Sequence, residues 1–87
     1  MPKAKVYVYL KSGILDPQGK AVHHILSNMN FDHVRDARIG KFITLDFNGD
    51  LTNEEIKFQT DEICKKLLAN PVIEDYHFEI ETEVEDS

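Results

Sequence analysis

An 87-residue chain with 41% hydrophobic and 30% charged residues has the composition of one folded domain with a modest core. Its formal net charge of -6, with Glu79, Glu81, Glu83, Glu85 and Asp86 crowded near the C-terminus, weighs against a sequence-independent nucleic-acid binder and an electrostatic membrane anchor, since both need a basic surface. No apolar run approaches the ~20 residues that span a bilayer, the N-terminus enters a strand pattern without an apolar signal core, and the lone Cys64 cannot form an internal disulfide, so a reducing cytoplasm is the expected location.

The first strand is expected over 3–11. Val6, Val8 and Leu10 alternate with Lys5, Tyr7 and Tyr9, the period of a pleated strand with two different faces. Asp16 before Pro17 marks a helix start: a carboxylate caps the free N–H groups, and proline at the first helical position gives up no bond. The first helix therefore runs over 16–28, with Ala21, Val22, Ile25, Leu26 and Met29 on one stripe, and stops near Asn28 and Asn30.

Residues 31–39 read as a second strand with an imperfect phase, because Val34 sits on the opposite parity from Ala37 and Ile39. Gly40 and Lys41 then read as a tight hairpin, the glycine supplying a positive φ. A third strand over 41–47 places Ile43, Leu45 and Phe47 on one face and Phe42, Thr44 and Asp46 on the other. Thr52 and Glu55 have capping-box spacing, so a second helix is expected over 53–68, with Ile56, Thr60, Ile63, Cys64, Leu67 and Leu68 inward. Asn70 and Pro71 end it. Tyr76, Phe78 and Ile80 alternate with His77, Glu79 and Glu81 as a fourth strand, which makes residues 1–82 one domain and 83–87 a frayed acidic tail.

The order βαββαβ is that of an α+β, ferredoxin-like fold: a four-stranded antiparallel sheet with the first and third strands central and two helices on one face. That arrangement leaves Tyr7, Tyr9, Phe42 and Thr44 on an uncovered sheet face, which points to burial there against a second copy or another subunit.

Candidate catalytic groups do not converge. Cys64 belongs to an inner helix stripe, which makes it a buried structural thiol. His23 and His24 are adjacent on a helix and cannot share an i, i+4 metal site, while His33 and His77 lie in separate elements without zinc-site spacing. Gly13 and Gly19 match neither phosphate-loop pattern, and Asp16 would repel a phosphate between them. No catalytic, cofactor-binding or metal-binding residue is assigned.

Three stretches are specific. Tyr9-Leu10-Lys11-Ser12-Gly13-Ile14-Leu15-Asp16-Pro17-Gln18-Gly19, Arg38-Ile39-Gly40-Lys41-Phe42 and Leu67-Leu68-Ala69-Asn70-Pro71-Val72-Ile73-Glu74-Asp75-Tyr76 resemble, in order, the motifs of PurS, the small-subunit family of phosphoribosylformylglycinamidine synthase. The resemblance covers residues 6 to 81, departing only before the second helix and in the tail. It implies an accessory, non-catalytic subunit of an ATP-dependent amidoligase of purine biosynthesis, with glutamine as amido donor. A PurQ-type glutaminase subunit releases ammonia, a PurL-type synthetase subunit consumes it, and the small subunit joins them and supports the transfer. The complex uses ATP and magnesium, neither bound by the small subunit. The resemblance also implies a homodimer or tetramer. Arg38, Gly40 and Lys41, together with Asn70, Pro71, Glu74, Asp75 and Tyr76, become candidates for docking the partner subunits. The rival reading is an ACT-like regulatory module binding a small molecule, which shares the βαββαβ order; Pro17 and the C-terminal motif speak against it.

Overall fold

The structure, a computed structural model, describes residues 2–81. β1 (Lys3–Leu10) lies at the centre of a three-stranded antiparallel sheet, between β2 (Lys41–Asp46) and β3 (Glu74–Glu81). The register sets Val6 beside Ile43 and Phe78, and Tyr7 beside Phe42 and His77. Side chains alternate along each strand, so one face carries Ala4, Val6, Val8, Ile43, Leu45 and Phe78, and the other carries Tyr7, Tyr9, Phe42 and Thr44. The first of these faces is the core: Ala4, Val6 and Val8 are buried.

α2 (Asn53–Ile63) supplies the cover, with Ile56 and Thr60 fully buried. The expected capping box starts it: Thr52 Oγ accepts the Glu55 N–H at 3.1 Å, and Glu55 Oε1 accepts the Thr52 N–H at 2.8 Å. The helix then widens into a π-helical turn, Cys64–Leu68, closed by the Ala69 N–H donating to the Cys64 carbonyl at 3.0 Å. A π turn adds one residue to the helical repeat and so shifts the phase of the residues after it. Cys64 and Ala69 face the core, while Leu67, expected on the inner stripe, is 77% exposed.

The expected strand over 31–39 does not form, and β2, expected at the centre, is an edge strand. Side chains occupy the backbone groups a ladder would need. His23 Nε2 lies 2.8 Å from the Val34 carbonyl oxygen, Asp36 Oδ1 accepts the Ala37 N–H at 2.9 Å, and Asp16 Oδ2 accepts the Ile39 N–H at 2.9 Å. The four-stranded ferredoxin-like sheet is thereby reduced, among the described residues, to the three strands β2-β1-β3. The hairpin at Gly40 is also absent. Gly40 does not adopt a positive φ, which is found instead at Gly13 (88°). Glycine is required at 40 for a different reason: an added Cβ would lie 2.6 Å from the Val8 carbonyl oxygen.

α1 (Pro17–Asn28) starts as expected, with Asp16 Oδ1 accepting the Gly19 N–H at 2.9 Å, and ends ahead of Asn30 at φ 71°. Its apolar stripe does not join the core. Gly19 is the buried residue of α1, whereas Ile25 and Met29 are 55% and 58% exposed. The two helices thus do not share the sheet's inner face. The result is a thin, extended chain of 51 × 35 × 14 Å, with a radius of gyration of 16.7 Å against about 12 Å for a compact chain of this length. The tail expected over 83–87 lies outside the described residues.

Candidate functional site

The C-terminal end of β1 is where the motifs meet. Lys11 donates its backbone N–H to the Ile73 carbonyl at 2.9 Å, and its Nζ lies 2.6 Å from Asp75 Oδ1. From the other side, Arg38 Nη2 donates to the Leu10 carbonyl at 3.3 Å and to that of Lys11 at 3.5 Å. Residues 9–19, 38–42 and 67–76, far apart in the chain, therefore share one rim. Leu10, Ser12, Arg38, Gly40 and Asp75 line an open depression of about 450 Å³ there, and Gly40, Lys41 and Glu74 line a neighbouring one of about 240 Å³.

Asp16 fastens this rim. Besides capping α1, its carboxylate accepts the Ile39 N–H and lies 3.5 Å from Arg38 Nε. The Ile39 and Gly19 N–H groups, followed by the Arg38 charge, hold its carboxyl below the ordinary aspartate range. The cap is legible in the Asp16-Pro17 pair; the bond to Ile39, 23 residues away, has no local signal.

Asn70, Pro71 and Glu74 form a self-closed turn beside the rim. Glu74 Oε1 accepts the Asn70 N–H at 2.7 Å, the Asn70 carbonyl accepts the Glu74 N–H at 2.7 Å, and Asn70 Oδ1 accepts the Val72 N–H at 3.0 Å. These bonds explain an asparagine before proline without a partner protein, while leaving Pro71 and Val72 on the surface.

Tyr76, a docking candidate from sequence, faces inward. Its hydroxyl donates to Asp61 Oδ1 of α2, and Asp61 also pairs with Lys65 at 3.0 Å. The bond to Asp61 pushes the Tyr76 phenol up to about 12 and, with Lys65, holds Asp61 low. A phenol raised from its ordinary 10 to about 12 contributes stability that is intact below pH 10 and is lost as pH rises toward 12. An ultraviolet titration is expected to show one phenolate forming near pH 12, and Tyr76→Phe to remove that step. A late step that survives the substitution would rule the bond out in solution.

Tyr7, Tyr9, Phe42 and Thr44 do share one exposed sheet face. Tyr7 packs between Phe42, with ring centres 5.0 Å apart, and His77, at 5.9 Å. Sequence reasoning missed His77 as a member of this row, although its parity with Glu79 and Glu81 placed it there. Cys64 is buried, and burial pushes its thiol up, away from nucleophilic character. No group of three or more metal-ligating side chains occurs among the described residues, and no helix there is long and apolar enough to cross a membrane.

Around the rim the cations Lys11, Arg38 and Lys41 alternate with the carboxylates Glu74 and Asp75 beside backbone-lined hollows. The family described as "PurS: Phosphoribosylformylglycinamidine (FGAM) synthase" matches residues 3–82. The chain is similar to the phosphoribosylformylglycinamidine synthase subunit PurS of Bacillus subtilis, with 48% identity over 81 residues, 93% of this chain and 94% of that protein. A solved structure of B. subtilis PurS aligns with a TM-score of 0.81 at 48% identity, covering 93% of this chain and 99% of that one. PurS of Methanocaldococcus jannaschii aligns at 0.84 and 38% identity, over 94% and 98% of the two chains. A chain from a structure of PurLQS from Thermotoga maritima aligns at 0.78 and 29%, over 93% and 100%.

Proposed function

The chain belongs to the PurS family of phosphoribosylformylglycinamidine synthase subunits, which act in purine biosynthesis, and we propose on that basis that it works as a non-catalytic subunit joining a glutaminase to a synthetase. In this reading the assembled enzyme converts formylglycinamide ribonucleotide, glutamine and ATP into formylglycinamidine ribonucleotide, glutamate, ADP and phosphate. The glutaminase subunit releases ammonia, the synthetase subunit holds ATP and magnesium, and this chain supports passage of ammonia between them in the cytoplasm.

The observation that carries the reading is the convergence of the three PurS-like stretches on one rim, in a chain similar to a component of the T. maritima PurLQS structure. Arg38, Gly40, Lys41, Pro71, Glu74 and Asp75 are the residues assigned to partner contact; Asn70 shapes the turn that presents them, and Tyr76 anchors β3 to α2 behind them. The buried Cys64 thiol favours a supporting role over a catalytic one. Tyr7, Tyr9, Phe42 and Thr44 form the face assigned to self-association into a homo-oligomer.

The test is glutamine-dependent amidation by purified synthetase and glutaminase subunits, with and without this protein. Activity with glutamine is expected to require it, while ammonia-driven activity of the synthetase subunit should need it far less. Equal glutamine-dependent rates in its absence would overturn the assignment.

A further inference from the structure

On the sheet surface of this chain opposite charges meet: Lys3 pairs with Asp46, Lys5 with Glu81 and Lys11 with Asp75. One place differs. Between the β1–α1 loop and the approach to β2 lies an open depression of about 370 Å³, a size within the range of small-molecule sites. Lys20, Asp36 and Arg38 all line it. Among the described residues, however, Asp36 pairs with neither cation and Lys20 pairs with no carboxylate, while Arg38 reaches only Asp16. Opposite charges that share a hollow without reaching each other leave room for a molecule that carries both.

The walls of the depression are held in place. Arg38 Nη2 donates to the Leu10 and Lys11 carbonyls and Nε lies 3.5 Å from Asp16, which leaves Nη1 as the open edge of a fixed guanidinium. Asp36 spends Oδ1 on the Ala37 N–H at 2.9 Å and keeps Oδ2. The Ala37 carbonyl packs so closely on the first turn of α1 that a Cβ at Gly19 would collide with it, which fastens this wall to the helix. The facing loop turns at Gly13, at φ 88°, and the Ile14 N–H closes it on the Lys11 carbonyl at 3.1 Å. It brings Ile14 and Leu15 to the depression, with Leu15 65% exposed. Groups fixed in advance lose little freedom when a ligand arrives.

We propose that this depression binds a free α-amino acid with an aliphatic side chain. The carboxylate is held between Lys20 Nζ and Arg38 Nη1, the ammonium by Asp36 Oδ2, and the side chain lies against Ile14 and Leu15. The charge balance selects this class. Asp16 also lines the depression, but its oxygens are taken by the Gly19 and Ile39 N–H groups and its charge is offset by Arg38. A plain anion such as phosphate would meet two carboxylates along with the two cations, and a plain cation would meet the two cations along with the carboxylates. A zwitterion satisfies both signs at once. The start of α1 is already capped by Asp16, so the side chains, and not the helix end, hold the ligand. Binding is a property of the single chain and holds whether or not the subunit role above is correct.

The test is backbone-amide NMR of the full chain titrated with L-leucine, isocaproate, isoamylamine and inorganic phosphate. Saturable shifts of the amides of residues 13–16, 20 and 36–38 are expected with leucine alone, because isocaproate lacks the ammonium and isoamylamine the carboxylate. Asp36→Asn and Lys20→Met should each weaken leucine binding about tenfold or more, the weight of a hydrogen bond to a charged group, whereas Lys20→Arg should retain it. Both positions are exposed, and the remaining amide signals report that each variant is folded. Equal shifts with isocaproate or phosphate would overturn the proposal by revealing a plain anion site, and equal shifts with isoamylamine by revealing a plain cation site. No saturable shift with leucine, or one that survives unweakened in both variants, would overturn it as well.

Discussion

Asp16→Ala is expected to destabilise the protein more than loss of any ordinary helix cap. The scale is set by Thr52→Ala, which removes one cap and should cost about 1 kcal/mol, or roughly 4–8 °C of Tm for a domain of this size. Asp16 does more than Thr52: it caps Gly19, holds the Ile39 N–H and pairs with Arg38, so its loss frees the start of α1 and the approach to β2 together. Asp16→Asn should fall between, because a single amide oxygen can still cap Gly19 while the amide nitrogen cannot accept from Ile39. The pH dependence has the same origin. The native carboxyl is held below the ordinary aspartate range, so the stabilisation is present above that range and is lost as pH falls through it toward the native value. Melting the native protein and Asp16→Ala across that interval should show the gap between them narrowing with acid. Trypsin should also cut Asp16→Ala faster at Arg35 and Arg38. A gap that does not change with pH would mean that Asp16 acts through packing and not through its charge.

The elements legible in the sequence are those whose cause is local. The alternation of β1, the Asp16-Pro17 start of α1, the Thr52–Glu55 capping box and the alternation of β3 each depend on residues within one turn or one pleat, and each forms as read. The errors have non-local causes. Residues 31–39 hold enough apolar character for a strand, yet their backbone groups are taken by His23 and Asp16 from elsewhere in the chain. The α1 stripe has the correct period, but a period states that a surface will be buried and not against what. Leu67 leaves the inner stripe because a π turn alters the phase that its position is counted from. Of the candidate site, the motifs bring Lys11 together with Arg38, Gly40 and Asp75, but sequence reasoning does not single Lys11 out among the docking candidates, although both sides converge on it. Tyr76 belongs to a motif as well, but the bond from its hydroxyl to Asp61 of α2 has no local signal in the sequence.

Tyr7→Glu combined with Tyr9→Glu is expected to bring the sedimentation mass of the free protein to half or less. The face has the anatomy of a contact surface, an apolar middle with a charged border. Tyr7 lies between Phe42 and His77, and Lys5–Glu81 at 3.3 Å and Lys3–Asp46 at 3.9 Å edge one end while Lys11–Asp75 at 2.6 Å edges the other. A carboxylate at position 7 would have to lose its water inside that middle, beside a second introduced at position 9, and every copy of a self-complementary face would carry the same pair. The core should not notice. Both side chains point away from Val6 and Val8, so the circular dichroism spectrum and the protection of the Cys64 thiol should match those of the native protein. That separation makes the mass decisive: a folded variant of unchanged mass would show that the aromatic row meets water and does not join copies of this chain.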